Sequence, residues 1–196
     1  MLNFALHFSQ FSDETVTMKS IDVLTFWFEE CGPKDWFQKN LEFDALIQKR
    51  FSKTHQKAAS LELFDWRQTP QGRLAEIIVL DQFSRNMFRD KPESFAFDGI
   101  ALTLSQEAVN AGDDKALTEQ ERQFLYMPYM HSESRVIHEE AVKLYDSIDH
   151  SYGYEYELKH KEIIDRFGRY PHRNEILGRK STDEELEFLK QPGSSF

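Results

Sequence analysis

Residues 160–182, HKEIIDRFGRYPHRNEILGRKST, gather six cationic side chains against three carboxylates in a chain whose formal net charge is −10. Arg166, Arg169 and Arg173 are planar guanidinium forks that bind carboxylate or phosphate through paired N–H donors, and His172 and Asn174 lie among them. Gly168 ends one helical pattern and Pro171 opens another, so these residues surround a bend whose backbone N–H groups would add to an anion site. A solvated basic loop paired with surplus acidic residues accounts for the same composition. His160, Ile163, Ile164 and Phe167 recur at helical spacing, which puts His160 on the apolar face, as a satisfied core histidine or as part of a pocket wall.

Two other places carry polar residues where apolar ones are expected. Along the segment after Thr69, Leu74, Ile77 and Ile78 form a stripe that continues through Asp81 and Arg85 to Phe88, while Leu80, Phe83 and Met87 make the adjacent face apolar as well. A helix apolar on both flanks lies in the interior, where Asp81 and Arg85, one turn apart, pair with each other. Such a pair is either a structural ion pair or part of a functional site. The third place is MPYMHSE, residues 127–133. Pro128 should end or kink the helix there, so that His131, Ser132 and Glu133 fall at a junction. Ser132 or Ser134 reads as an N-cap rather than a nucleophile. His131 and Glu133 are the candidate catalytic residues, the carboxylate fixing the tautomer of an acid–base histidine, with a hydrogen-bonded polar corner as the structural alternative.

Sharper motifs are missing. His138-Glu139-Glu140 lacks the second histidine of a zinc-protease helix, His172-Arg173-Asn174 has no Gly-rich loop to make it a kinase catalytic loop, and no metal or cofactor is expected. Cys31 falls at a helix end, where the dipole raises its thiol pKa.

These residues need helices to position them. Ser20 would cap a first helix stopped by Gly32-Pro33, and a second begins near Asp35 or Asn40. Thr69-Pro70 opens the most apolar helix, to about residue 89. Further helices are predicted over 93–111, 118–128, 132–148, 154–167 and 182–190, with capping boxes at Thr118/Glu121 and Thr182/Glu185. Sustained period-two alternation is absent, so the fold is expected to be all-α, as a bundle or a solenoid of antiparallel helical hairpins. At 196 residues with 14% aromatics, one well-packed domain from residue 18 to 196 is expected. Residues 1–17, before Met18, read as a flexible extension. The negative charge opposes nucleic acid, the apolar runs are too short for a bilayer, and one cysteine with no signal-peptide pattern points to the cytoplasm.

The segments Phe26–Phe28 with Trp36-Phe37, Leu80–Asn86 (LDQFSRN), Phe124–Glu133 (FLYMPYMHSE), Ile164–Asn174 (IDRFGRYPHRN) and Leu177–Arg179, in this order, resemble the bacterial family defined by the domain of unknown function DUF924. The resemblance covers nearly everything from Met18 onward. It implies an all-α fold similar to tetratricopeptide-repeat superhelices and implies no reaction. Two functional readings follow. One is a pocket for a small anionic ligand, walled by Asp81, Arg85, His160, Arg166, Arg169, His172, Arg173 and Asn174, with hydrolase or transferase chemistry. The other is a non-enzymatic tetratricopeptide-like module that docks a helix or an acidic peptide, anchored by Trp27, Trp36 and Phe37, residues that plain core packing also explains.

Overall fold

The computed structural model describes residues 18–148 and 152–195; the N-terminal extension expected over 1–17 lies outside the described residues. Among those described there are nine α-helices and no strand. They are α1 (Ser20–Thr25), α2 (Pro33–Phe37), α3 (Leu41–Ala59), α4 (Pro70–Met87), α5 (Asp98–Ala111), α6 (Glu119–Met130), α7 (Arg135–Asp146), α8 (Tyr152–Phe167) and α9 (Asp183–Phe188).

Local chemistry explains most of the helix boundaries. The Asn40 side chain accepts the N–H groups of Glu42 and Phe43 at 3.0 and 3.2 Å, and so starts α3. Thr69 accepts the Gly72 N–H at 3.1 Å, with Pro70 in the first turn of α4. Gly72 is required by contact: a Cβ there would stand 1.9 Å from the Trp66 carbonyl oxygen. Thr118 and Thr182 open α6 and α9 with the expected capping boxes. Gly112, at φ +77°, supplies the left-handed residue that ends α5.

Three boundaries depart from expectation. The helix predicted over 93–111 breaks into a 3₁₀ turn, Pro92–Phe95, and α5, so Asp98 lies in a first helical turn. α6 does not stop at Pro128 but runs to Met130, because a proline in the last turn removes a single backbone bond and buried Tyr126, Tyr129 and Met130 hold that turn in place. Ser20 is the first helical residue rather than the cap, and α1 widens into a π turn over Phe26–Glu30 that places Phe26 and Trp27 in the core.

α4 is the central element. It packs on α1, α3, α5 and α6, while α6, α7 and α8 follow one another in sequence. Leu74, Ile77, Ile78, Leu80 and Phe83 are fully buried, as the apolar flanks of this helix require. Trp27, Trp36 and Phe124 form an aromatic cluster beside it, with ring centroids 5.0 to 6.0 Å apart. No helix among the described residues is long and apolar enough to cross a membrane.

Candidate functional site

A cavity of about 350 Å³ opens between the Pro92–Phe95 turn, the start of α5, the end of α6 and the Pro171–Arg173 turn. Asp98, His131, Ser132, Glu133 and Arg173 are its polar lining. Two side chains of α4 anchor this lining from behind. Asp81 is 1% exposed; its carboxylate accepts from His131 Nδ1 at 2.8 Å and from the Gln82 amide and is ion-paired at 3.1 Å with Arg85, whose Nη1 donates to the Asp81 backbone carbonyl at 2.8 Å. Arg85 reaches onward to Asp98 with a two-pronged contact of 3.0 and 3.1 Å.

This arrangement fixes protonation. Burial by itself would raise the Asp81 carboxyl, but the Arg85 guanidinium and His131 outweigh it and hold the group ionised. Burial, then the positive charge of Arg85, pushes the His131 imidazole below its ordinary value against the pull of Asp81. With Asp81 ionised and the ring neutral, Nδ1 carries the proton that Asp81 accepts, which leaves the lone pair on Nε2. The ring lines the cavity with a side chain 15% exposed. Asp81 therefore takes the orienting role expected of Glu133.

Glu133 is committed elsewhere. Both its oxygens accept from Arg179, at 2.6 and 2.9 Å, and one also accepts the Tyr170 N–H at 2.7 Å. Arg179 then donates to the Tyr170 carbonyl and the Asn174 side chain. The Tyr170 hydroxyl donates to the Met130 carbonyl at 2.5 Å. Buried His138 bonds Glu157 at 2.7 Å and the Ser132 carbonyl at 2.8 Å. The turn that carries His131 is thus tied down on both sides.

Arg173 is 6% exposed and lies between the rings of Phe95 and Tyr170, each centroid 4.6 Å from its guanidinium carbon. Among the described residues the one hydrogen bond of its side chain is the long 3.4 Å contact from Nη1 to Asp98, and the buried Nε has no partner. A guanidinium has five N–H donors, so this one is left short of acceptors.

The other predicted site residues lie apart from the cavity. Arg169 is paired with Glu185 at 2.7 and 2.8 Å, and Arg166 with the exposed Glu184. Asn174 is fully buried and bonds Ser181 and Arg179. His160 donates from Nδ1 to the Tyr156 carbonyl, and burial pushes its pKa down to about 3. His172 packs its ring 5.5 Å from that of Tyr170; burial, then Arg173, pushes it down to about 4. Asp98 was not expected in the site. An aspartate in a first helical turn is ordinarily read as a helix-dipole residue, and nothing local distinguishes this one. Arg179 and Tyr170 are likewise legible only through their distant partners. At Cys31, burial, reinforced by Asp35 and Glu30, raises the thiol to about 12 and leaves it a poor nucleophile. No group of three or more His, Cys, Asp or Glu side chains among the described residues could hold a metal ion.

A bacterial family of unknown function, DUF924, has a sequence profile that matches residues 23–193. The chain belongs to this family. The DUF924 chain is also similar to a solved protein of unknown function, ATU0120 from Agrobacterium tumefaciens, at 36% identity and a TM-score of 0.83, over 87% of this chain and 96% of that one. No curated protein matches it. Asp81, Arg85, His131, Arg173 and Arg179 all fall inside the matched residues.

Proposed function

We propose that this chain binds a small anionic molecule in the cavity beside the Pro171–Arg173 turn, and that His131, held by Asp81, is the acid–base group of a hydrolase or transferase acting on it. The observation that carries this reading is the juxtaposition of a neutral, anchored imidazole with an under-used buried guanidinium in one small cavity. A volume near 350 Å³ lies at the small end of the range for small-molecule sites, roughly 300–1,000 Å³.

The chemistry balances within these groups. A water or substrate hydroxyl gives its proton to His131 Nε2 as its oxygen attacks a carbonyl or phosphoryl centre. Asp81 stabilises the imidazolium, which returns the proton to the leaving group, while Arg173 holds negative charge on the substrate. The peptide-docking alternative is less well supported, because two of its three anchors, Trp27 and Trp36, are occupied in the aromatic cluster and only Phe37 is largely exposed.

Thermal melts with acetate, phosphate, succinate and citrate at constant ionic strength test the reading. A ligand at a hundredfold excess over Kd stabilises the fold by about 2.7 kcal/mol. The shift should vanish in Arg173→Ala and persist in Arg169→Ala, whose side chain is bound to Glu185. His131→Gln should keep anion binding and abolish turnover of a bound ester or phosphate ester. No stabilisation beyond a chloride control would refute the proposal.

A further inference from the structure

We infer that the ligand of this cavity is a monocarboxylate with a short hydrocarbon body, an assignment that rests on the pocket reading above. Its basis is the layering of the cavity walls. Ser105 on α5 donates to the Leu125 carbonyl on α6, and Asp98 and His131 face the same cavity from the opposite ends of those helices' sequences. The helices therefore run antiparallel, with Asp98 level with His131 and, one turn along, Leu102 level with Pro128. A polar layer and an apolar layer are separated by one helical turn, about 5.4 Å. Phe95 and Leu177 extend the apolar lining. Such a cavity matches a molecule with one polar end and one greasy end.

The charges set the number of negative groups. Around the polar layer, Arg85, Arg173 and Arg179 face Asp81, Asp98 and Glu133, and His131 is neutral. Three positive charges meet three negative ones. A bound monoanion leaves one excess charge, which the under-paired Arg173 meets, whereas a dianion leaves a second that nothing nearby offsets and that is costly to bury. His160 and His172 add no charge at neutral pH, since burial holds both well below their ordinary values. Arg173, short of acceptors, is the group that meets the carboxylate.

Calorimetric titration of the full chain with acetate, propionate, butyrate, hexanoate and succinate tests this. Affinity should rise about fourfold per methylene from acetate to butyrate, the increment for burying a CH₂ group. Succinate, which resembles butyrate but ends in a second carboxylate, should bind at least about tenfold more weakly, the effect of about 1.4 kcal/mol. Leu102→Ser should flatten the chain-length series, weakening butyrate more than acetate, and Arg173→Lys should weaken every member. Because Leu102→Ser leaves the charged groups untouched, it keeps the test open if Arg173 variants fold poorly. A flat series with Arg173-dependent binding, or a preference for succinate, would overturn the monocarboxylate assignment and leave the anion pocket standing. Absence of binding by every anion would overturn both.

Discussion

Two clusters of charged residues, one at the bend before α9 and one around the cavity, are built from the same side-chain types and end in opposite electrostatic states. At the bend beside α9, Arg169 is paired through Nε and Nη2 with Glu185, and Arg179 with Glu133 and neighbouring acceptors. Around the cavity, Asp81 and Arg85 are satisfied, but Arg173 is buried with one long contact, and His131 presents a neutral ring to open space. A basic stretch is thus not itself an anion site. Guanidiniums whose forks are filled by the protein's own carboxylates hold the fold, and only one left short of acceptors has capacity for a ligand.

The largest expected effect separates the clusters by stability. Asp81→Ala leaves His131 Nδ1 and the Gln82 amide without their acceptor in a buried setting, while Arg85 keeps Asp98, and should cost about 1–3 kcal/mol in urea denaturation, with Asp81→Asn recovering part of the loss by keeping an oxygen acceptor. Equal stability of wild type and Asp81→Ala would show that the fold does not depend on this carboxylate's hold on His131.

Acid should then affect the buried histidines outside the cavity and the bend in separate windows. The folded chain holds His160 and His172 neutral to about pH 3 and 4 respectively, while an unfolded histidine binds its proton below about pH 6.5. Lowered folded values of this kind give stability that is complete above about pH 6.5 and declines as pH falls towards 4, by up to about 1.4 kcal/mol per pH unit for each histidine. His160→Gln should flatten that limb in urea melts taken at successive pH values; an unaltered slope would remove His160 from the account. At the bend, hydrogen bonding from Arg169 lowers the Glu185 carboxyl to about 2. Its contribution is therefore complete above about pH 4.5 and is lost as pH falls towards 2, so Glu185→Gln should change only the more acid limb.

The smallest effect belongs to Arg166. Its ion pair with Glu184 is about half exposed on both sides, so Arg166→Ala should leave both the melting temperature and anion binding unchanged. A loss of binding in this variant would bring the bend back into the ligand site.

What could be read without coordinates was whatever the chain settles within a few residues. Thr69-Pro70, the Thr118 and Thr182 capping boxes and the Gly112 stop are local bonds, and the Asp81–Arg85 pair spans one helical turn. The all-α class follows from the same local periodicity. Pro128 shows where local reading fails, since burial of its neighbours keeps the helix going for two more residues.

Most helices, the threonine caps and the excess of polar groups on buried faces are legible in the residues alone, because those are short-range properties of backbone and side chain. Tertiary structure alone decided which groups are spent and which are free. Arg169 meets Glu185 across 16 positions, Arg173 meets Asp98 across 75, and His131 meets Asp81 rather than Glu133 across 50. Guanidiniums in a sequence are chemically equivalent; packing distributes the acceptors among them, and that distribution leaves Arg173 short beside an anchored imidazole.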